Sequence, residues 1–286
     1  MNQPSVYVVI LGWNGRELTL DCIRSVLKID YPNFVVLVVD NHSSDGSPDA
    51  IRKEFQTEIA SGKILLVENS ENLGFARGNN VGMELALKRG ADYVLLLNND
   101  TVVDPALLRN MIPMSEADGS VGIAAPKIYY FDPPDQIWFA GGRIALHKGL
   151  SWHIGIREID HGQYDTTGDC DYATGCAMLI KKIVMEKIGF LDPVYPHFSE
   201  DADYCRRAGL RGFRILYLPG GKVWHKISVS TGGQLSIRKI RLRLQSNFIF
   251  YKRYARWYHW FTIPVFFILD GFRVLGLILT RRIRNK

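Results

Sequence analysis

Short runs of apolar residues alternate with amphipathic stretches through the first 117 residues of the chain. Continuous apolar runs are typical of strands buried on both faces, and they occupy residues 5–12, 34–39, 63–67 and 93–97. Patterns with helical spacing occupy residues 17–29, 47–60, 75–89 and 102–117. This order predicts an α/β protein whose mostly parallel sheet is flanked by helices.

The pattern changes after Pro126. Residues 127–149 hold paired prolines and paired glycines between short aromatic segments, which predicts hairpins or a flap. The polar stretch 151–171 predicts a mobile loop over a site. Further strands are predicted at 172–180 and 213–218, and further helices at 181–189 and 200–209.

Polar side chains follow the predicted strands of the first half. Ligands of parallel sheets bind beyond the carboxyl ends of the strands, so we expect these side chains to line one crevice. They are Asn14, Asp40, Asn41, Glu68, Asn69, Asn98, Asn99 and Asp100.

Composition and charge narrow the class of protein. The 286 residues are 47% hydrophobic and 22% charged, which excludes a disordered chain, collagen and a coiled coil. Four cysteines without CxxC spacing argue against a zinc ribbon or a disulfide scaffold and suit a reducing cytoplasm. We expect no signal peptide, because the apolar run at 6–11 is short and follows no basic segment.

The net charge of +6 is unevenly distributed, since residues 238–286 carry +11 and the remainder −5. We therefore predict a catalytic domain over 1–235 and a basic, membrane-associating tail over 236–286. The apolar block in the tail favours an anionic membrane surface over nucleic acid. Residues 261–280 have the length of a span, but Asp270 and Arg273 near its middle favour an amphipathic or re-entrant segment. A buried C-terminal helix or an oligomer contact is the alternative.

Two loops have the composition of a nucleotide-diphosphate site. Asp40 ends a strand before a turn of small polar residues, and its carboxylate can accept hydrogen bonds from a pyrimidine or a ribose. Gly74 and Arg77 open the third helix, where backbone N–H groups and a guanidinium suit a diphosphate. A capped turn and a solvated arginine are the structural alternatives.

Two other groups of residues suit metal binding and proton transfer. Asp100 follows a purely apolar strand, and with neighbouring amides it suits a hard divalent cation, to which His225 could add a ligand. Ser199 is a predicted helix cap, and the first-turn acids suit the helix dipole. A carboxylate here could also act as a general base toward a sugar hydroxyl.

As an ordered set over residues 5–230, these motifs resemble family 2 glycosyltransferases of the GT-A fold, within them the rhamnosyltransferase-like branch. The set comprises strand-Asn-Gly, DNxSxDGS, NxGFAxGNNxG, NND, TGxxMLI, SEDxDxCxRxxxxG and a late histidine. The family's metal motif often begins with Asp, where this chain has Asn98.

The resemblance implies an inverting transferase that uses a nucleoside-diphosphate sugar and Mg²⁺ or Mn²⁺. It implies Asp201 as the catalytic base supported by Glu200, Asp100 and His225 as metal ligands, and Gly175 and Cys176 at the acceptor side. The nucleotide-sugar residues it implies are Asn14, Asp40, Asn41, Asn72, Gly74, Arg77, Asn80 and Asn99.

The predicted function is sugar transfer to a glycan or a polyprenyl-diphosphate-linked acceptor in cell-surface polysaccharide synthesis. Rhamnose and a dTDP carrier follow from the branch resemblance alone. We expect a cytoplasmic protein associated peripherally with the inner face of the membrane, and no nucleic-acid partner. The alternatives are a non-catalytic nucleotide-sugar-binding partner of a membrane enzyme and a sugar nucleotidyltransferase.

Overall fold

A computed structural model describes residues 3–226, 237–266 and 268. A sheet of ten strands, flanked by helices, forms the core of this part of the chain. The strands are β1 (Val6–Gly12), β2 (Phe34–Asp40), β3 (Ile64–Glu68), β4 (Tyr93–Asn98), β5 (Thr101–Val103), β6 (Val121–Tyr130), β7 (Ile137–Phe139), β8 (Gly142–Ala145), β9 (Leu150–His153), β10 (Gly168–Asp169), β11 (Ala177–Lys181) and β12 (Arg214–His225). The helices are α1 (Arg16–Val26), α2 (Ser47–Glu54), α3 (Gln56–Ala60), α4 (Gly74–Lys88), α5 (Leu107–Glu116), α6 (Lys182–Ile188), α7 (Glu200–Leu210) and α8 (Ile237–Tyr254).

The strand order is β10-β12-β6-β11-β4-β1-β2-β3, with β5 paired to β12 and β7 to β6. The pairings β1–β2, β1–β4 and β2–β3 are parallel, as the alternation of strands and helices predicts. β11 is antiparallel to both β4 and β6, so the complete sheet is mixed. The fully buried side chains of β1, β2 and β4 form the centre of the core, which confirms the predicted α/β class.

Several boundaries differ from the predicted elements, and the strand predicted over 172–180 begins only at Ala177. The helix predicted over 47–60 is interrupted at Phe55, whose side chain is buried and whose backbone leaves the helical region. The helix predicted from 102 begins only at Leu107, because Val102 and Val103 pair with β12. β12 itself continues past Pro219 through a register shift and reaches His225.

The segment predicted as a mobile loop, 151–171, is tied to the sheet by a buried cation. Lys127 on β6 is fully buried and forms ion pairs with Asp160 and Asp165. Burial acts to raise the pKa of Asp160, but hydrogen bonds from Lys127 and the Tyr129 hydroxyl lower it to about 2. This segment also contributes β10 and most of β9.

Part of the predicted tail packs on the body of the protein. α8 buries Phe250 and Tyr251, and the Ser246 hydroxyl donates to the His197 carbonyl at 2.6 Å. The remainder of the predicted tail, residues 236, 267 and 269–286, lies outside the described residues, as does 227–235. Among the helices that the structure describes, none is long and apolar enough to cross a membrane.

Candidate active site

The carboxyl ends of β1, β2, β3 and β4 lie side by side, as the sequence predicts. In the strand register Gly12 is opposite Asp40, Leu11 is opposite Asn98, and Asp40 is opposite Glu68. The polar residues that end or follow these strands therefore share one edge of the sheet. This edge is the candidate active site.

The first two loops at this edge brace each other. Asn14 adopts a left-handed backbone with φ 48°, and its side-chain oxygen accepts from the Ser44 N–H at 2.9 Å. Asp45 accepts from the N–H groups of Gly15 and Arg16 at 2.7 and 2.9 Å. These contacts fix the loops on either side of the buried Asp40 carboxylate, which accepts from the backbone of the same turn.

The side chain of Asn41, which follows β2, connects the end of β3 to the loop before α4. Its amide nitrogen donates to Asn72 Oδ1 at 2.8 Å, and its oxygen accepts from the Asn69 amide and the Leu73 N–H, each at 3.0 Å. The sequence predicts ligand contact for Asn41 and Asn72. The structure gives both side chains contacts within the protein that shape the loop before α4.

Asn80 likewise makes protein contacts, exchanging two hydrogen bonds with the backbone of Leu191 at 2.8 and 3.0 Å. Gly74 begins α4 with φ 76°, a conformation that favours glycine. Arg77 in the first turn of that helix is exposed and has no ion pair with any residue in the described ranges. Its guanidinium is therefore available to an anion at the helix N-terminus.

Asp100 and His225 meet where β4 and β12 end. His225 Nε2 is 3.1 Å from Asp100 Oδ1, and the pairing of His225 with Thr101 fixes this approach. The Trp138 ring stands edge-on to the imidazole, with ring centroids 4.7 Å apart. Asn99 is turned toward α1, where its amide donates to Thr19 Oγ1 at 2.9 Å.

This pair fits a divalent metal ion by its donor chemistry. His225 Nδ1 is buried and has no hydrogen-bond partner among the described residues, and the neighbouring Asp100 supplies a carboxylate. Burial acts to lower the pKa of His225, but the Cys176 sulfur and the Asp100 carboxylate outweigh it and raise that pKa. No group of three or more His, Cys, Asp or Glu side chains within the described ranges could hold a metal alone. A metal here would need further ligands from a bound diphosphate.

A tight turn joins the candidate metal ligands to the candidate base. The Gly175 N–H donates to Asp201 Oδ2 at 3.0 Å, and the adjacent Cys176 is close enough to His225 to influence its pKa. The Cys176 carbonyl accepts from the Asn98 N–H at 2.9 Å. The structure therefore brings the predicted acceptor-side, metal and base residues into one contiguous chain of contacts.

Glu200, which is buried, and Asp201, which is half-buried, form an acidic pair at the start of α7. Burial and the charge of Asp201 raise the pKa of Glu200 to about 8, and Glu200 Oε2 has no hydrogen-bond partner among the described residues. Burial also raises the pKa of Asp201, against the hydrogen bonds that its carboxylate accepts from the backbone. A carboxylate with a raised pKa is a better proton acceptor from a hydroxyl.

Ser199, the residue before this pair, does not cap the helix with its side chain as the sequence predicts. Ser199 makes no side-chain capping bond; its hydroxyl lies 3.2 Å from Asn247 Oδ1 on α8. Phe198 and Ser199 both have left-handed backbones, with φ 72° and 65°. Such conformations cost about 1–3 kcal/mol each and occur where the surroundings impose them.

The sequence interpretation missed the role of Asp203. This fully buried carboxylate accepts hydrogen bonds from four side chains and so joins α7 to α8 and to the segment before α7. The donors are Tyr195, Arg207, Arg253 and Tyr254. The i,i+4 spacing of Asp203 and Arg207 was a visible signal for a structural ion pair.

Solved structures with the same architecture define the class of fold. GalNAc-T7 with UDP, GalNAc and Mn²⁺ superposes with a TM-score of 0.64 at 14% identity, over 78% of this chain and 44% of that one. Mannosyltransferase PcManGT from Pyrobaculum calidifontis, in complex with GDP-Man and Mn²⁺, gives 0.59 at 17% identity, over 98% and 80%. The fold is that of a GT-A glycosyltransferase.

The particular family follows from the sequence match. Residues 4–259 match the family described as Glycosyltransferase like family 2, and the chain belongs to that family. Poly-beta-1,6-N-acetyl-D-glucosamine synthase of Staphylococcus aureus is 25% identical over 77% of this chain and 50% of its own length. The dTDP-rhamnosyl transferase RfbF of Shigella flexneri is 23% identical over 78% and 69%. The chain therefore spans half the length of the first of these relatives.

Proposed function

We propose that this glycosyltransferase transfers a sugar from a nucleoside-diphosphate sugar to a hydroxyl of a glycan or lipid-linked glycan, with inversion at the anomeric carbon. The contiguous contact from Asp100 and His225 through the 175–176 turn to Asp201 supports the proposal. A leaving-group site and a proton acceptor must lie close together for a single displacement, and this contact brings their candidates together.

In the proposed reaction Asp201 accepts the proton of the acceptor hydroxyl. The hydroxyl oxygen forms a bond to the anomeric carbon as the bond to the diphosphate oxygen breaks on the opposite face, so the configuration inverts. Glu200 supports the base, because its own raised pKa keeps it protonated near neutral pH and limits repulsion within the pair. Arg77 balances the charge of the departing diphosphate.

Asp100 and His225 are the residues that would hold a divalent cation, Mg²⁺ or Mn²⁺. When bound, such an ion supplies positive charge to the diphosphate. The two solved structures named above contain Mn²⁺ with UDP or GDP-Man, which supports this choice of cofactor.

The sugar, the acceptor and the location are finer parts of the proposal. The similarity to a dTDP-rhamnosyl transferase supports rhamnose, and the similarity to a polysaccharide synthase supports a glycan acceptor. We further propose that the basic tail brings the protein to an anionic membrane at its cytoplasmic face. Exposed aromatic side chains at and beyond the end of α8 support this, among them Trp257, Trp260 and Phe261.

The test combines nucleotide titration with turnover. Calorimetry with UDP, dTDP and GDP, with and without Mn²⁺, should reveal metal-dependent binding of one of them, lost in Asp100→Ala. Asp201→Asn should retain that binding but lose transfer by several orders of magnitude, because the amide cannot accept the proton. Lys88→Ala on the exposed end of α4 is the control.

The outcomes separate the proposal from its alternatives. Transfer that persists in Asp201→Asn would remove the base assignment. Nucleotide binding without transfer to any acceptor would favour a non-catalytic partner of a membrane enzyme. Release of diphosphate from a nucleoside triphosphate and a sugar phosphate would indicate a nucleotidyltransferase.

A further inference from the structure

A basic side chain lies beside the loop of Phe198 and Ser199, and no carboxylate among the described residues pairs with it. Arg243 on α8 is exposed, and its guanidinium carbon lies 4.9 Å from the centroid of the Phe198 ring. Phe198 belongs to the left-handed loop that leads directly into Glu200 and Asp201. Across the described ranges no ion pair involves Arg243. The cation is therefore free to meet an anionic ligand at the rim of the base.

The face of α8 that carries Arg243 is the face that holds the loop. Ser246, Asn247 and Phe250 follow it at i+3, i+4 and i+7, so all four lie on one side of the helix. Ser246 and Asn247 contact the backbone and side chain of residues 197 and 199, and Phe250 is buried. These contacts direct Arg243 toward the loop.

The charge of Arg243 also acts on His153, whose ring packs against Trp138. Burial lowers the pKa of His153 to about 4, and the charges of His225 and Arg243 add to this effect. The Trp138 ring lies between these two histidines, with ring centroids 4.6 Å from His153 and 4.7 Å from His225. Arg243 is thus close enough for its charge to act on His153, while its guanidinium lies over the Phe198 ring.

We propose that Arg243 binds a phosphoryl group of the acceptor, so that the acceptor is a glycan carried on an isoprenoid phosphate or diphosphate. This inference rests on the proposed function, which places the acceptor hydroxyl at Asp201. In the proposed function the donor diphosphate has its own cations at Arg77 and at the site of Asp100 and His225, so a further cation over Phe198 is left for the acceptor. A guanidinium can bind phosphate oxygens through two parallel hydrogen bonds. Beyond α8 the chain exposes Trp257 and Phe261, which suits a substrate with a lipid chain.

The test uses the full chain and a defined probe. Flotation with neutral phosphatidylcholine vesicles that contain geranylgeranyl diphosphate, or geranylgeraniol as its uncharged counterpart, measures the contribution of the phosphates. We expect Arg243→Ala to weaken binding to the diphosphate vesicles about tenfold, as for the loss of one charge-assisted hydrogen-bonded pair, and to leave geranylgeraniol vesicles unchanged. Binding of Arg243→Lys to the diphosphate vesicles should be weaker than that of the wild type and stronger than that of Arg243→Ala. Arg241→Ala, an exposed position on another face of α8, should stay within about twofold.

Two results would overturn the inference. One is unchanged binding of the diphosphate vesicles by Arg243→Ala. The other is an equal loss on phosphatidylglycerol vesicles without isoprenoid, which would assign Arg243 to lipid headgroups. Nucleotide titration of the same variants keeps the two proposals apart: wild-type protein that binds no nucleotide counts against the transferase, whereas intact nucleotide binding confines a failure to the acceptor.

Discussion

Two carboxylates in one helical turn of α7 should respond to substitution in opposite ways. Asp203 is fully buried and accepts hydrogen bonds from Tyr195 at 3.0 Å, and from Tyr254, Arg253 and Arg207 at 2.7 Å each. Removing its carboxylate takes one acceptor from each of two arginines and two hydroxyls, although Arg207 keeps two backbone carbonyls and Arg253 keeps Asp192. We therefore predict that Asp203→Ala destabilises the fold strongly.

The expected loss of unfolding free energy depends on the burial of Asp203 and on how far its arginine partners are exposed to water. Removing one member of a buried ion pair costs about 3–5 kcal/mol. The side chains of Arg207 and Arg253 are 23% and 37% exposed, so water can solvate them in part, and we expect about 3 kcal/mol. Unfolding entropy of about 2.1 cal/mol/K per residue over the 286 residues converts this to a Tm lower by about 5 °C. Asp203→Asn retains the volume and some acceptor capacity, and should cost about half as much.

Thermal and urea unfolding of both variants, beside Asp201→Asn, test this reasoning. Asp201 is partly exposed and accepts two backbone hydrogen bonds, so Asp201→Asn should change the unfolding free energy by less than about 1 kcal/mol. The effect on turnover should be the reverse of the effect on stability. Turnover should be absent in Asp201→Asn, and it should be present in Asp203→Asn at temperatures below the unfolding midpoint of that variant. An Asp203→Ala protein within about 1 kcal/mol of wild type would refute the role of Asp203.

Three further changes have predictable effects. Gly175→Ala should lower kcat about tenfold or more in steady-state assays, since a Cβ would lie 2.9 Å from Phe75 Cζ and 3.7 Å from Asp201 Cβ. Unfolding free energy, measured in urea at several pH values, should fall as pH rises from about 5 to about 8. The reason is that Glu200, with its pKa raised to about 8 by burial and Asp201, keeps in the folded state a proton that the unfolded chain has released. Serine at three exposed aromatic positions should reduce flotation with phosphatidylglycerol vesicles while nucleotide binding is retained: Trp257, Trp260 and Phe261.

Each of these has a matched control. Gly168 has open space around its Cβ position, so Gly168→Ala should leave kcat unchanged, and equal losses in both variants would contradict the contact argument. Glu200→Gln should flatten the pH slope, which cannot exceed about 1.4 kcal/mol per pH unit for one proton; an unchanged slope would assign it to another group. Unchanged flotation of the serine variant would count against the membrane role of these aromatic residues.

The sequence predicted the strands and helices whose formation depends on their own residues rather than on a distant partner. The buried strands β1, β2 and β4 are continuous apolar runs, and the polar residues at their ends lie where parallel pairing requires. β12 was predicted to end at Leu218, because Pro219 and two glycines usually terminate a strand. The strand instead continues through a register shift between Leu218 and Lys222, which depends on its partner β6. Such tertiary pairing is not visible in local propensity.

In the candidate site, too, the sequence predicted which residue types are present but not which partners each side chain contacts. Asp100, His225, Gly175 and Asp201 were predicted individually, and the structure brings them together. Asn41 was predicted to meet the nucleotide, and the structure adds that its amide holds the loop before α4. An asparagine amide can both donate and accept, so the residue type alone does not reveal which partners it has.

The direction of β11 explains why the candidate base and the candidate metal ligands lie close together. Because β11 runs antiparallel to β4, its first residue, Ala177, lies opposite Leu97 at the carboxyl end of β4. The turn before it is thereby placed next to Asp100. A parallel strand would have put that turn at the opposite edge of the sheet. The amide of Gly175 in this turn donates to Asp201, and the Cys176 carbonyl accepts from the Asn98 N–H. A single antiparallel strand inserted in the sheet therefore brings the candidate proton acceptor and the candidate metal ligands to the same edge.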